Sequence, residues 1–354
     1  MEGVLRNAQN PFCACQFTIC SGAGCPQPAA NAASLPYSKP KVVTGMYNTS
    51  PRQVLSQAGI SESKIQEALR VLEELGYLPI IRDMKPINSG MTNRLFYFAS
   101  GGGEYLLRIP GEGSEHLVDR WQEHWIYHKL EGRNITEPLV YLNPDTGLKI
   151  THYIGNARCC STDNMDEVRR CIRHLAHFHS QNLQGEVYFD LFEKLDSYER
   201  FCGHSITSIF PDYAAVRQKV MALKQVIEAS PRSFCICHVD PVPDNFLLQR
   251  DKIYLIDWEY AAMSDPHMDI AMFCIYAGYR KEQIDQVIDF YFKEGCSPAI
   301  RRKIYAYVAC SGLLWTVWCE IKRDSGVLFE EYEQVQYRYA TDFYNLVMEM
   351  EGLQ

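Results

Sequence analysis

The apolar and polar positions of the chain follow two different patterns, one between residues 78 and 154 and another from residue 166 onward. In the first part, short apolar runs alternate with turn-forming residues, which is typical of strands joined by hairpins. In the second part, apolar residues recur at helical spacing, which is typical of amphipathic helices. The chain therefore predicts a small antiparallel lobe followed by a larger helical lobe.

The predicted elements give an α+β fold with an N-lobe at 78–155 and a C-lobe at 156–354. The N-lobe is predicted to hold five strands, at 78–81, 94–99, 104–109, 136–142 and 147–154, and a helix at 116–130. The C-lobe is predicted to hold six helices, at 166–182, 191–202, 212–229, 283–294, 297–323 and 329–350.

Two further segments precede the first lobe. Residues 1–50 are rich in Gly, Pro, Ala, Ser and Asn and show little periodicity, so a poorly ordered leader is expected. Residues 51–77 contain two short helical patterns separated by Gly59, which resembles a helix-turn-helix. The second helix carries more acidic than basic residues, which is unfavourable for DNA binding. Packing of this helical extension against the next lobe is therefore favoured.

Composition narrows the class of protein. The chain has 354 residues, of which 47% are hydrophobic and 22% charged, as in a soluble globular protein. A net charge of −8 argues against non-specific nucleic-acid binding. The apolar run at 304–319 is short for a membrane span and predicts a buried helix. Residues 1–10 lack the apolar core of a signal peptide, and the 14 cysteines fit free thiols, so a cytoplasmic location without membrane insertion is expected.

Four of the 14 cysteines lie in the leader. Cys13, Cys15, Cys20 and Cys25 lack the paired C-x-x-C spacing of a metal site, so metal binding there is not favoured.

The segment 235–261 carries the strongest chemical signal in the chain. It places His238, Asp240, Asn245 and Asp257 in the order H-x-D-x-x-x-x-N, followed by an apolar strand that ends in Asp-Trp-Glu. A carboxylate can orient a substrate hydroxyl and accept its proton, and an amide oxygen with a second carboxylate can hold Mg²⁺ on nucleotide phosphates. Asx turns are the alternative explanation. They do not account for a polar loop between apolar runs with an acid at the end of the third run.

A second group of residues lies in the predicted N-lobe. The turn-rich loop at 88–93 joins two strands, and Gly90 allows close approach of the backbone to a phosphate. Arg108 ends the third strand, where its charge would face phosphates, and Glu123 on the following helix is positioned to hold it. Taken alone, the loop is more typical of an ordinary hairpin than of a phosphate-binding loop. Arg108 taken alone is equally compatible with a surface arginine at a strand end.

The chain resembles the aminoglycoside phosphotransferase and choline kinase superfamily, and within it most closely the bacterial LicA-type choline kinases. The matching pieces span roughly residues 80–350 in the family's order. They include INSGMTNRLFYF, EYLLRIPG, GLKITHYIGNAR, RHLAHFHSQN, HVDPVPDNFLL, IYLIDWEYA, DPHMDIAMF and LLWTVWCEI. The resemblance implies a two-lobed protein-kinase-like fold and transfer of a phosphoryl group from ATP with Mg²⁺.

The resemblance also implies roles for the matching positions. Asp240 and Arg108 are implied as catalytic residues and Asn245 and Asp257 as metal ligands, while His238 is expected to brace the loop. The positions implied for nucleotide binding are Ser89, Gly90, Thr92, Asn93, Arg108, Glu123, Thr151, Tyr153 and Ile154. The positions implied for the acceptor are Asp240, Glu259, Tyr276, Trp315 and Trp318.

The predicted acceptor site departs from the family pattern at one position. Trp315 and Trp318 share a helix face and could present π-surfaces to a quaternary ammonium, although a buried core pair has the same spacing. Tyr276 stands where many family members carry an acid. A tyrosine at this position could complete an aromatic cage or could equally indicate a different substrate. The prediction is a kinase for a small cationic alcohol, foremost choline, with phosphoryl transfer better supported than the choline acceptor. Ethanolamine, an aminoglycoside or another amino alcohol are alternative acceptors, and a nucleotide-binding regulator is the remote alternative.

Overall fold

The structure is a computed structural model that describes residues 50–87, 93–111, 118–203, 205–324, 326 and 328–352. The predicted leader, except its last residue, lies outside the described residues. So do Ser89, Gly90 and Thr92 of the predicted nucleotide loop.

A five-stranded antiparallel sheet forms the N-lobe. Its strands are β1 (Ile81–Ile87), β2 (Asn93–Ser100), β3 (Gly103–Pro110), β4 (Leu139–Leu142) and β5 (Lys149–His152), in the spatial order β1-β2-β3-β5-β4. Gly101 and Gly102 join β2 to β3 with positive φ angles, a turn conformation that side chains with a Cβ disfavour. In this register Arg108 on β3 lies opposite Lys149 on β5.

The first strand begins later than the apolar pattern predicts. The strand expected at 78–81 is instead a short 3₁₀ turn, Leu78–Ile80, and β1 starts at Ile81. Pro79 has a fixed φ and no N–H to donate to a ladder, which explains the turn.

The N-terminal extension forms two helices, α1 (Pro51–Gln57) and α2 (Glu62–Glu74). Ser50 caps α1 through a capping box with Gln53. Leu55 and Leu72 pack in one apolar cluster with Phe98 and other residues of the sheet. The apolar face of the extension thus packs against the N-lobe sheet. This agrees with the prediction of packing in place of DNA binding that was based on the acidic second helix.

Helix α3 (Arg120–Leu130) follows β3, and the remaining elements build the C-lobe. The C-lobe strands are β6 (Arg158–Cys159), β7 (Cys235–Cys237), β8 (Phe246–Gln249), β9 (Lys252–Leu255) and β10 (Ala262–Ser264). The C-lobe helices are α4 (Met165–Ser180), α5 (Leu191–Phe201), α6 (Tyr213–Ala229), α7 (Pro266–Tyr276), α8 (Lys281–Tyr291), α9 (Pro298–Asp324) and α10 (Glu330–Gly352). The predicted α+β class, with a small sheet lobe and a mostly helical lobe, is confirmed.

Helix α7 was not predicted. Ten of its residues are buried, so the helix has no polar face and therefore no amphipathic period to detect.

Helix α9 lies at the centre of the C-lobe. Among the described residues it is the one helix long and apolar enough to span a membrane, yet 89% of its apolar window is buried inside the fold. Gly312 permits its close approach to α10, because a Cβ at this position would lie 2.6 Å from the Gln336 carbonyl oxygen. The predicted burial of the run at 304–319 is confirmed.

Candidate active site

The loop between β7 and β8 is held from beneath by a buried carboxylate. Asp269 of α7 accepts hydrogen bonds from the backbone N–H groups of His238 (2.7 Å) and Val239 (2.8 Å). Val239 adopts φ +71°, an unfavourable conformation for a β-branched residue, and these bonds stabilise it. The fully buried His238 ring donates to the Ile256 carbonyl oxygen (2.9 Å). His238 therefore lies where a bracing residue was expected.

Asp240 projects from this braced loop and is half-buried. Burial raises its pKa well above the ordinary value, and the charges of Asp257 and Glu259 raise it further. The nearby Tyr276 hydroxyl lowers the pKa of Asp240 and so acts in the opposite direction. A carboxylate whose pKa is raised toward neutrality is suited to accept a proton from an alcohol in the transition state.

Asn245 and Asp257 lie beside Asp240. Nδ2 of the Asn245 side chain donates to the backbone carbonyl oxygen of Asp240 (3.0 Å). This hydrogen bond does not use Oδ1, the side-chain oxygen of Asn245. The Asn245 carbonyl accepts from the Ile256 N–H (2.9 Å), so the loop and the end of β9 are fixed together. Asp257 has φ +68° and a side chain that is 33% exposed. An amide oxygen and an accessible carboxylate fit a hard, oxygen-preferring cation such as Mg²⁺.

A buried ion pair lies across the cleft from Asp257. Arg108 donates to both carboxylate oxygens of Glu123, at 2.6 and 2.7 Å, and to the Gly147 carbonyl at 3.0 Å. Burial opposes ionisation of Glu123, but Arg108 and then Lys149 outweigh it and hold the pKa of this carboxyl well below its ordinary range. Arg108 Nη1 lies 3.9 Å from Asp257, so the pair reaches the candidate metal ligand.

Two more buried cations join this cluster, and sequence reasoning missed both. Arg120 donates from Nη1 to Glu123 (2.8 Å) and to Glu259 (2.9 Å). Lys149 donates to the Tyr127 hydroxyl (2.7 Å) and to Glu123 (3.4 Å). Arg120 precedes Glu123 by three residues, a spacing that could have indicated it. Lys149 could be found only with the β3–β5 register in hand.

The charged cluster around Glu123 contains buried polar atoms that form no hydrogen bond with the described residues. Asn93 Oδ1, Arg108 Nε and Arg120 Nη2 are buried and have no hydrogen-bond partner in the described part of the chain. Asn93 begins β2 and donates from Nδ2 to Glu259 (3.3 Å). Buried polar atoms are normally satisfied. The Arg108 Nε–H group therefore fits a nucleotide phosphate, and the other two atoms fit ordered water.

The segment linking the lobes provides an apolar surface. Thr151 is buried in β5, and the Tyr153 N–H donates to the Glu104 carbonyl (3.0 Å). Ile154 packs in a small cluster with Leu247 and Ile256 of the catalytic hairpin. Sequence reasoning did not single out Leu247 or Ile256. Together with Ile154 they form an apolar layer that could receive a flat heterocycle.

Aromatic side chains line the other side of Asp240. Tyr276 ends α7, and its ring centroid lies 5.0 Å from that of Trp315, which lies 5.3 Å from that of Trp318. Trp315 is partly exposed, whereas Trp318 is buried against Phe329. Trp315 therefore borders the pocket, and Trp318 supports it from behind.

Three further tyrosines lie within electrostatic range of the same carboxylate and were not predicted. Burial raises the pKa of Tyr198, Tyr260 and Tyr332, and the charge of Asp240 adds to the effect at each phenol. These tyrosines come from α5, from the segment after β9 and from α10, so only the fold brings them together. The surroundings of Asp240 thus include several phenol groups.

A family model described as choline/ethanolamine kinase matches residues 84–291, more than half of the chain. The chain belongs to the choline/ethanolamine kinase family. Protein LicA of Haemophilus influenzae is 26% identical over 258 residues, which cover 69% of this chain and 74% of that protein.

Solved structures of this family share the fold. The choline kinase LicA from Streptococcus pneumoniae superposes with a TM-score of 0.68 at 22% identity, covering 79% of this chain and 99% of that one. A LicA structure in complex with AMP superposes with a TM-score of 0.67 at 22% identity, covering 81% and 99%. The predicted kinase-like, two-lobed architecture is confirmed. Membership of the family makes the chain a small-alcohol kinase.

Proposed function

We propose that the protein transfers the γ-phosphoryl group of Mg²⁺-bound ATP to the hydroxyl of choline, giving phosphocholine and ADP. The observation that carries this proposal is the position of Asp240. Its charge interacts with that of Asp257, which lies 3.9 Å from Arg108 Nη1, and with the phenol of Tyr276, which packs against Trp315. A phosphoryl donor and a cationic alcohol would meet at this carboxylate.

The nucleotide would lie between the lobes. Ile154, Leu247 and Ile256 would contact the adenine, and the structure of the related LicA in complex with AMP supports nucleotide binding. Arg108 would donate to the phosphates while Glu123 fixes its orientation. Asn245 and Asp257 are the residues that would hold Mg²⁺, which supplies charge neutralisation on the phosphates when bound.

Asp240 would act on the acceptor. Its carboxylate orients the choline hydroxyl and takes the hydroxyl proton as the new O–P bond forms. The bond between the γ-phosphorus and the β,γ-bridging oxygen breaks, and ADP leaves with the electron pair. In such reactions the protein contributes mainly positioning and charge stabilisation.

The aromatic pocket favours a quaternary over a primary ammonium. A trimethylammonium group cannot donate hydrogen bonds and is held by π-surfaces such as those of Tyr276, Trp315 and Tyr332. A primary ammonium needs acceptor oxygens, and Tyr276 replaces the acid that the family pattern places there. Choline is therefore proposed ahead of ethanolamine and aminoglycosides. The cytoplasmic location and the absence of nucleic-acid and membrane partners stay predictions.

Release of ADP from Mg-ATP tests the proposal. The purified protein is assayed with choline, ethanolamine and an aminoglycoside, beside Asp240→Asn and the matched control Asp251→Asn, an exposed aspartate in the β8–β9 turn. We expect choline to give the highest kcat/KM, with loss of turnover in Asp240→Asn only. Turnover with another acceptor but not choline would reject the acceptor and keep the kinase. No turnover with any acceptor would reject both.

A further inference from the structure

Arg120 connects acidic residues from the two lobes. It is the first residue of α3, is 8% exposed, and directs Nη1 to Glu123 of the same helix and to Glu259 of the segment after β9. The two contacts measure 2.8 and 2.9 Å. One guanidinium therefore ties the N-lobe helix to the catalytic segment of the C-lobe.

The space around Arg120 fixes this arrangement. A Cβ on Gly147 would lie 2.6 Å from Arg120 Nε and 2.8 Å from Cδ, so the side chain occupies the space that this glycine leaves. Gly147 also has φ +73°, which disfavours any other residue. The missing side chain at Gly147 thus leaves the space in which the Arg120 side chain lies.

Glu259 depends on Arg120 for its position. Its carboxylate is 4% exposed and also receives Asn93 Nδ2 at 3.3 Å, while Arg108 Nη1 lies 3.7 Å away. Glu259 follows Asp257 by two residues, so a change in the position of Glu259 is passed directly to the Asp257 backbone. Without Arg120, Glu259 would lose its shortest contact and its link to α3.

We propose that Arg120 is a positioning residue, which holds Glu259 and with it the Asp257 segment in a fixed place relative to the Arg108–Glu123 pair. The two lobes then present one preorganised set of groups to the nucleotide phosphates. This inference rests on the proposed kinase function. It assigns Arg120 to the nucleotide side of the reaction and not to the acceptor pocket.

Kinetics and nucleotide binding together test the role. The variants are Arg120→Gln, Arg120→Lys, Glu259→Gln and the double variant Arg120→Gln/Glu259→Gln. The matched control is Arg301→Gln, because Arg301 of α9 also holds two carboxylates, Asp285 at 2.7 Å and Asp289 at 2.6 Å, both on α8. For each protein we would measure kcat, both KM values, and ADP affinity by calorimetry with Mg²⁺ present.

We expect Arg120→Gln to lower kcat/KM for ATP by about 10- to 100-fold, the usual effect of losing a residue that orients a functional group. The KM for choline and the activity of Arg301→Gln stay unchanged. In the Glu259→Gln background, Arg120→Gln costs no more than about twofold, since both changes break the same link. Arg120→Lys keeps the charge but lacks the guanidinium geometry, so it retains more affinity for ADP than Arg120→Gln.

Two results would overturn the inference: additive losses in the double variant, or a choline KM that rises as much as the ATP KM. Should Arg120→Gln fail to fold, Arg120→Lys carries the test, and an ADP affinity equal to wild type would overturn it. ADP calorimetry needs no acceptor. Absence of turnover in the wild type would therefore reject the proposed function while this comparison still decides the role of Arg120.

Discussion

Replacement of Glu123 by glutamine is expected to destabilise the protein strongly. The Glu123 side chain is fully buried and accepts hydrogen bonds from Arg108 at 2.6 and 2.7 Å, from Arg120 at 2.8 Å and from Lys149 at 3.4 Å. Glutamine keeps the size of the side chain and one acceptor oxygen. It removes the negative charge and introduces an N–H₂ group that faces other donors.

The size of the expected loss in unfolding free energy depends on which buried charges lose their partner. Breaking a buried ion pair by removing one partner typically costs about 3–5 kcal/mol, because a buried charge is left uncompensated. Here three cations lose one common carboxylate, but Glu259 still lies 2.9 Å from Arg120 and Glu137 lies 3.9 Å from Lys149. This partial compensation places the expected loss at the lower end, about 3 kcal/mol of unfolding free energy.

Urea unfolding followed by tryptophan fluorescence measures this loss as a shift of the midpoint at constant slope. The matched control is Glu74→Gln, which removes an exposed pair with Arg70 at 3.1 Å and is expected to cost at most about 0.5 kcal/mol. A loss below about 1 kcal/mol for Glu123→Gln would refute the reasoning, because it lies in the range of a surface pair.

Three other predictions concern the acceptor pocket, the core and pH. Trp315→Ala is expected to raise the KM for choline about tenfold through loss of a cation–π surface, with the KM for ATP unchanged in steady-state kinetics. Gly312→Ala should cost about 1–3 kcal/mol in urea unfolding, since the added Cβ meets the Gln336 carbonyl at 2.6 Å. Burial lowers the pKa of His238 to about 4 from 6.5, so between these pH values the unfolded chain binds a proton that the folded chain does not. The unfolding free energy of the protein therefore falls by about 3 kcal/mol as the pH is lowered from 6.5 to 4. The variant His238→Gln should show a weaker dependence of the unfolding free energy on pH.

Each of these predictions has a control in the chain. Trp121→Ala removes an exposed tryptophan and should leave the choline KM unchanged; an equal effect at both tryptophans would contradict the pocket assignment. Gly352→Ala adds a Cβ in α10 with nothing within 4 Å, and an equal loss there would show that packing is not the cause. His128→Gln replaces an exposed histidine. It should leave the pH slope unaltered, and a steep slope that persists in His238→Gln would contradict the third prediction.

The catalytic segment could be read from the sequence because its chemistry is local. Asp240, Asn245 and Asp257 lie within one loop and the hairpin that follows, so their spacing along the chain reflects their spacing in the fold. The Arg108–Glu123 pairing was also accessible, since a strand end and the next helix are close in sequence. These residue types at these intervals are enough to indicate phosphoryl transfer.

Other parts of the site depend on contacts between distant elements. Asp269 supports the catalytic loop from a helix whose uniform burial conceals its period. Lys149 enters the site only through strand register, and Tyr198 and Tyr332 arrive from separate helices of the C-lobe. Pattern and spacing in one sequence do not determine such tertiary placements, so the acceptor pocket was predicted less completely than the phosphate side.

Direct detection of product tests the central claim most sharply. The purified protein is incubated with Mg-ATP and choline, and phosphorus NMR follows the γ-phosphoryl signal. We expect a choline-dependent phosphomonoester signal that forms together with ADP. Its rate of formation should fall at least about 100-fold in Asp240→Asn, the usual contribution of a positioned base. Phosphocholine formation at an undiminished rate in Asp240→Asn, or none by the wild-type protein, would contradict this expectation.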